Sequence, residues 1–248
     1  MPFASCLDPV GQLAIRTLED SADFRQAEHV QRKVWGFSDL DIVPAAAFSV
    51  ARFFGGQTLG AFDGEHMVAF SLAFGAVEHG HAHLHSHMVG VLPAYQNRGI
   101  GARLKFAQRE DALRRGIEKI VWTFDPLQGR NAHFNLARLG GVGVHYLPNL
   151  YGETSSPLHG GMPTDRVVIE WKLNSPRVLA ALNGEPSNSA PDAILVELPA
   201  VSGDLRSKAK LAAQTELRER LTGLLSAGYL ITGFESNAQT ASYVLEPQ

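Results

Sequence analysis

The sequence predicts an α+β fold, and three observations carry that prediction. Short runs rich in β-branched and aromatic residues alternate with helix-spaced segments, with no sequence repeat and no low-complexity tract. Three strands follow one another directly, the first two joined at Asp63-Gly64, the best hairpin dipeptide in the chain. A glycine-containing break, Gln96–Ala102, then separates the third strand from a helix.

The elements can be justified in order. LAIRTL (Leu13–Leu18) reads as a strand. Asp20 or Ser21 can cap a helix whose apolar face carries Phe24, Ala27, Val30, Gln31 and Val34. VPAAAFSVARFF is a second helix, with Pro44 tolerated in a first turn that has no use for its missing N–H. The hairpin segment GQTLGAFDGEHMVAFSLAFGAV follows, and HGHAHLHSHMVGV (His79–Val91) is the third strand of the meander. In ARLKFAQREDALRRG, Ala102, Phe106, Leu113 and Ile117 fall on one helical face. EKIVWTF is a strand, RNAHFNLARLGG a helix stopped by glycine, and VHYLPNLYG and DRVVIEWKL are two more strands. Ser175–Pro191 is rich in Pro, Ser, Asn and Gly and reads as a linker. A C-terminal β-α-β-β unit follows: AILVELP, a helix over about 204–227, YLITGF and ASYVLEP. The expected division is a core at 1–174, a linker at 175–191 and an extension at 192–248. The extension can extend the sheet, cap an acceptor site or build a homodimer; the sequence does not choose.

Composition narrows the function. Of 248 residues, 45% are hydrophobic and 19% charged, as in an ordinary globular protein. The net charge of -3 argues against nucleic acid as partner, and the basic residues of RLKFAQREDALRR are interleaved with acids. No apolar run reaches the roughly 18 residues needed to cross a bilayer, so no membrane partner is expected. The N-terminus lacks the pattern of a signal peptide. The single cysteine, Cys6, allows no internal disulfide and no multi-cysteine zinc site. A cytoplasmic setting follows as the expectation.

The segment Gln96-Asn97-Arg98-Gly99-Ile100-Gly101-Ala102 holds the most chemistry. Glycine lets the backbone turn tightly, and the N–H groups opening the next helix suit a phosphate. A dinucleotide fingerprint fails because Leu104 stands where a third glycine is needed, and no P-loop is present. The pattern Q-x-x-G-x-G after a strand-ending proline resembles the pyrophosphate loop of the GNAT acyltransferases. The element order over roughly 13–173 matches that family too. HSHMVGV, WTFDPL, NLYG and DRVVIEW resemble a group of predicted GNAT acetyltransferases.

The resemblance implies the GNAT fold: a mixed, mostly antiparallel central sheet flanked by helices. It implies acetyl-CoA, or another acyl-CoA such as succinyl-CoA, as co-substrate, with no metal expected. The pyrophosphate would meet Gln96, Arg98, Gly99, Ile100, Gly101 and Ala102. Pantetheine would pair with the backbone of Val89, Val91 and Leu92, and an N–H near Val91 would hold the oxyanion. Asn131 matches an asparagine that contacts the pantetheine arm, or it caps a helix. One departure stands out: Leu136 occupies the place of a tyrosine that protonates the CoA thiolate in many members. Either another group, such as Tyr146 or Tyr151, does that job, or the thiolate leaves unprotonated.

An amine acceptor must lose a proton before attack, and histidine suits that task near neutral pH. In some members the base is a glutamate eleven residues before the loop glutamine, which here is His85. His87 is second, and His83 shares the face of a regular strand, where it would meet substrate. Two same-face histidines could share a zinc, but a third ligand such as Glu78 or Asp125 is unforced. His79 and His81 read as exposed residues at a strand start. Asp125, Asn149, Tyr151 and Arg166 are the remaining candidates for binding a small-molecule amine or amino acid; Glu153 lies beside them in sequence. Two of them have a plainer reading: a turn for Asp125, an Asp165–Arg166 ion pair for Arg166. The leading function is an N-acyltransferase working through a ternary complex. The rivals are a non-catalytic acyl-CoA-binding module and a histidine metalloprotein.

Overall fold

A computed structural model of the chain describes residues 13–152, 161–185, 190–199, 208–237 and 239–248. Cys6, Glu153 and the expected helix start at 204–207 lie outside the described residues. The fold forms two compact units, one made of the described residues up to Gly75 together with Ser86–Asp111, the other of Ala76–His85 and Ala112–Gln248.

In the first unit, β1 (Ala14–Thr17) pairs antiparallel with β2 (Gln57–Asp63), and β2 with β3 (His66–Glu78). Helix α1 (Ser21–Trp35) begins where expected, because Asp20 accepts from the backbone N–H of Ala22 (2.9 Å) and Asp23 (3.0 Å). Helix α2 (Ala45–Phe53) follows Pro44. Phe24, Val30, Phe48, Phe70 and Leu72 bury themselves in one cluster with these helices. Burying each such side chain contributes about 1.5–3 kcal/mol. Strand β4 (His81–Val91) leads through a 3₁₀ turn (Pro93–Tyr95) into α3 (Ile100–Arg114).

The buried stripe of α3 differs from the expected one. Leu104, Lys105, Gln108 and Ala112 are buried, whereas Ala102, Phe106 and Leu113 are only half-buried and Ile117 follows the helix. With Ile100, five residues of the helix are buried and two of them are polar, so a search for apolar spacing selects the neighbouring face. Lys105 donates to the Ser86 hydroxyl (3.0 Å), which donates to Gln108 Oε1 (3.2 Å). Burial pushes the Lys105 ammonium well below the usual lysine range. Unfolded lysine keeps a pKa of about 10.4, so between the two values folding releases a proton and stability rises with pH. Lys105→Met should therefore stabilise the protein by about 1–3 kcal/mol at neutral pH. Its advantage should shrink towards about pH 10. Paired urea unfolding curves across pH check this; a variant less stable than its parent at neutral pH would show that the Ser86 contact outweighs the burial cost.

In the second unit, β4 pairs parallel with β5 (Lys119–Phe124) at Leu84↔Ile120 and His85↔Val121. All the other described strand pairs are antiparallel: β5 with β7 (Arg166–Lys172), β7 with β6 (Val142–Leu147), and β6 with β9 (Tyr229–Ser236). Beyond β9 lie β10 (Ala241–Pro247) and then β8 (Ile194–Glu197). The mixed, mostly antiparallel sheet with flanking helices is thus present. The C-terminal unit extends the sheet. The contact is close: a Cβ on Gly143 of β6 would sit 2.9 Å from Ile231 of β9, which only glycine permits.

The helix after β5 is short and irregular, with α4 (Gly129–Ala132) running into a π-helix over His133–Arg138. The stretch 175–191 is not all linker, because Pro176–Leu182 forms α5. Ser175 accepts from the Val178 N–H (3.4 Å), Pro176 opens the first turn, and Val178 and Ala181 are buried. Its Pro and Ser are helix-start residues, which composition alone scores as loop. Helix α6 (Lys208–Ser226) buries Ala213, Gln214, Leu217 and Leu221. No helix among the described residues is long and apolar enough to cross a membrane.

Candidate functional site

In the first unit the Gln96–Ala102 segment forms the turn into α3. Asn97 (φ 64°) and Gly99 (φ 75°) both take the left-handed conformation. The Gly99 carbonyl accepts from Arg103 N (3.1 Å), so Gly99 caps the helix and Ile100, Gly101 and Ala102 form its first turn. The N–H groups of such a turn have no partner within the helix and carry the positive end of its dipole. The buried Ile100 side chain anchors the turn beside Leu104. A Cβ at Gly101 would meet nothing within 4 Å, so that position is open. Arg98 is exposed, its guanidinium 5.2 Å from the Tyr95 ring centre. Gln96 turns back instead: its Nε2 donates to the Val91 carbonyl (3.0 Å), tying loop to strand.

The strand before the loop is bulged. Ser86 points at α3 through Lys105 and Gln108, and Val89 packs against the cluster holding Leu104. Residues three apart cannot share a side of a regular strand, so the alternation slips by one between them. Met88 accordingly packs with the α1–α2 cluster. Leu92 departs from its expected role. Its N–H donates to the Val68 carbonyl (2.9 Å) and its carbonyl accepts from Tyr95 N (2.8 Å), so its backbone closes the strand end.

The histidines separate. His79 is not on the strand; with Gly80 it forms the β3–β4 turn, at φ 49° and 80°. His81 is exposed at the strand start. His83 Nδ1 is buried with no hydrogen-bond partner among the described residues. His85 alternates with Ser86 and is half-buried. The His87 ring lies 5.3 Å from that of Phe74. Part of the side chain stays exposed, yet burial of the ring holds its pKa below the usual 6.5, so it is a neutral base at neutral pH. Among the described residues no group of three or more His, Cys, Asp and Glu is placed to hold a metal ion.

In the second unit the remaining candidates divide between turn-formers and a connected network. Asp125 accepts from Leu127 N (2.9 Å) and is a turn residue. Asn131 is exposed on α4, and Leu136 is in the core, 1% exposed. Tyr146 donates its hydroxyl proton to Asp165 Oδ2 (2.6 Å). Burial, reinforced by that bond, raises its pKa far above the usual tyrosine value, so its proton is held there. Asn149 (φ 46°) donates its N–H to Asp165 Oδ1 (3.0 Å) and accepts from Thr164 N (3.0 Å). Tyr151 is 46% exposed, its hydroxyl 3.0 Å from Thr123 Oγ1. Arg166 Nη1 donates to the Asp165 carbonyl (2.7 Å), and its guanidinium lies 5.1 Å from the Tyr151 ring centre. The Asp165–Arg166 contact is therefore to the backbone, not an ion pair; the cation facing Asp165 is Arg218, bidentate at 2.8 and 2.9 Å.

Arg218 and Lys105 escape a reading from sequence. Each is a charged residue in a helix full of charges, and nothing in the spacing marks it as buried or paired. The doublet Asp165-Arg166 draws attention to the wrong arginine, because only folding brings α6 beside the β6–β7 connection.

Residues 14–140 match the profile of the acetyltransferase (GNAT) family, 127 of 248 residues. No curated protein sequence matches significantly. Among solved structures, the ribosomal-protein-S18-alanine N-acetyltransferase of Escherichia coli superposes with a TM-score of 0.53 at 16% identity, covering 66% of this chain and 96% of that one. NAA60 of Arabidopsis thaliana in complex with acetyl-CoA gives 0.54 at 14%, covering 66% and 100%. The acetyltransferase yncA of Salmonella typhimurium, described as putative and solved with acetyl-CoA, gives 0.51 at 17%, covering 73% and 98%. At these identities the likeness is one of fold.

Proposed function

Since this chain belongs to the acetyltransferase (GNAT) family, we propose that it transfers an acyl group, acetyl in the first instance, from acyl-CoA to the amine of a small molecule or amino acid. The observation that carries the proposal is the first turn of α3, with Gly99 left-handed and Gly101 open. Its amides, with the Arg98 guanidinium, suit the doubly charged pyrophosphate. The pantetheine arm runs along the backbone of β4 at Val89 and Val91, without Leu92. Asn131 contacts the arm from α4.

The chemistry is a direct attack in a ternary complex. His85 takes a proton from the ammonium of the acceptor, with His87 as the second candidate base. The amine nitrogen then forms a bond to the thioester carbonyl carbon. An N–H near Val91 stabilises the oxyanion. Collapse breaks the carbon–sulfur bond and the nitrogen gives its second proton to water, leaving the neutral amide and the CoA thiolate. Tyr151 is the favoured proton donor to that thiolate, because the Tyr146 proton is held by Asp165. Asn149, Tyr151 and Arg166, with His83 and Asp125, form the acceptor-binding set.

Thermal shift with CoA, acetyl-CoA and succinyl-CoA tests this reading. A ligand at about 100 times its dissociation constant adds roughly 2.7 kcal/mol. For a chain of this size that raises Tm by about 2–4 °C per kcal/mol. The largest rise among the three identifies the acyl group. No rise with any of them at millimolar concentration would remove the loop assignment and with it the proposed activity.

A further inference from the structure

The C-terminal segment joins the second unit through a specific polar tie as well as through the sheet. Asp165 is fully buried and accepts four hydrogen bonds: from Tyr146 of β6, from the Asn149 N–H, and from Arg218 Nε and Nη2 of α6. One turn earlier on the same face of α6, Gln214 Nε2 donates to the Pro163 carbonyl (2.8 Å). Thr164, between these two anchor points, receives Tyr151 N on its hydroxyl (2.9 Å) and gives its own N–H to Asn149 Oδ1. Residues 163–165 are thus a clasp, with α6 on one side and Asn149 and Tyr151 on the other.

Asn149 is held in a left-handed conformation, and its N–H bond to Asp165 supports that geometry. A buried carboxylate needs charge-assisted partners, and bidentate arginine is the best available. Without Arg218, Asp165 would be a buried charge facing one hydroxyl and one amide. It would turn towards water and release Asn149.

We propose that Arg218 is a positioning residue for the acceptor. Acting through Asp165, it fixes the segment 147–152 and Arg166 in the conformation that receives the amine substrate. The C-terminal segment is then a working part of the enzyme, supplied from outside the 14–140 region that matches the family. The substrate consequence rests on the acyltransferase reading above; the structural consequence does not.

The test uses full-length Arg218→Met, Arg218→Lys, and the double variant Asp165→Asn/Arg218→Met, which leaves no buried charge unpaired. Hydrogen exchange of peptides spanning 147–152 is compared with that of the 96–102 loop. Losing a bidentate charge-assisted pair should speed exchange in 147–152 by about 10-fold or more, with 96–102 unchanged. CoA thiol release from acetyl-CoA is then followed with each standard amino acid and with simple alkylamines. KM for the acceptor should rise by about 10-fold or more while KM for acetyl-CoA holds, with partial recovery in Arg218→Lys, whose ammonium pairs without the fork. Unchanged exchange at 147–152 in both Met variants overturns the proposal. So does a loss of kcat with an unchanged acceptor KM. If the parent binds acetyl-CoA but acylates none of these amines, the amine reading has failed, and the exchange data alone uphold or overturn the role of Arg218.

Discussion

Gly101→Glu should abolish the CoA-dependent thermal shift while leaving the protein folded. The two halves of that expectation have separate causes. A side chain at 101 meets no protein atom within 4 Å, and the residue has an ordinary helical backbone, so substitution costs the fold little. A carboxylate in the first turn of a helix is even mildly favourable. The pyrophosphate, however, would find a negative charge where the loop offers N–H groups. Two like charges about 4 Å apart repel by about 4 kcal/mol at an effective dielectric constant of 20. That amounts to a loss of affinity of several hundred-fold. Gly101→Gln is the control for bulk: it should bind CoA more weakly than the parent and far better than the glutamate variant. Isothermal titration of the three proteins with CoA decides. Equal affinity in all three would place the pyrophosphate elsewhere.

His85→Ala should lower kcat by about 10²–10⁴ and leave acetyl-CoA affinity within a small factor of the parent. Loss of a base removes a step in chemistry, not a contact to CoA, so the split between turnover and binding is the informative result. The pH profile adds a second discriminator between the two candidate histidines. A base works only when deprotonated, so activity falls as pH drops through its pKa. His87 is held below the usual 6.5 by burial, which would set the acid limb of the profile correspondingly lower. An acid limb that disappears in His87→Ala and survives in His85→Ala would reverse their order. Full turnover in both single variants would remove the histidine base from the mechanism.

Much of this was legible before folding, for reasons specific to particular residues. Asp20 announces α1 because a short acceptor side chain before an apolar helical pattern has a backbone partner two or three residues on. Gln96–Ala102 announces a phosphate-type turn because glycine, helix start and preceding strand are all local features. The five alternating histidines were only half legible. Their spacing shows a strand, but His79 belongs to the turn and the bulge after Ser86 interrupts the alternation. Whether a strand keeps its register depends on its neighbours, which a sequence window does not contain. The sequence offers both Tyr146 and Tyr151 as proton donors, with Tyr146 the first choice; a 2.6 Å hydrogen bond to Asp165 separates them.

By itself, then, the sequence determined the local grammar of this protein: where helices start, where the phosphate turn lies, and the family to which the first half belongs. Those properties depend on residues a few positions apart, so spacing and residue type suffice. Tertiary structure decided which polar groups are buried and with whom. Lys105 lies on the buried stripe of α3 although it is itself a charged residue in a helix that carries five others. Arg218 finds Asp165 across 53 residues. Burial and ion pairing depend on distance in space, and long-range partners leave no periodic trace in a chain.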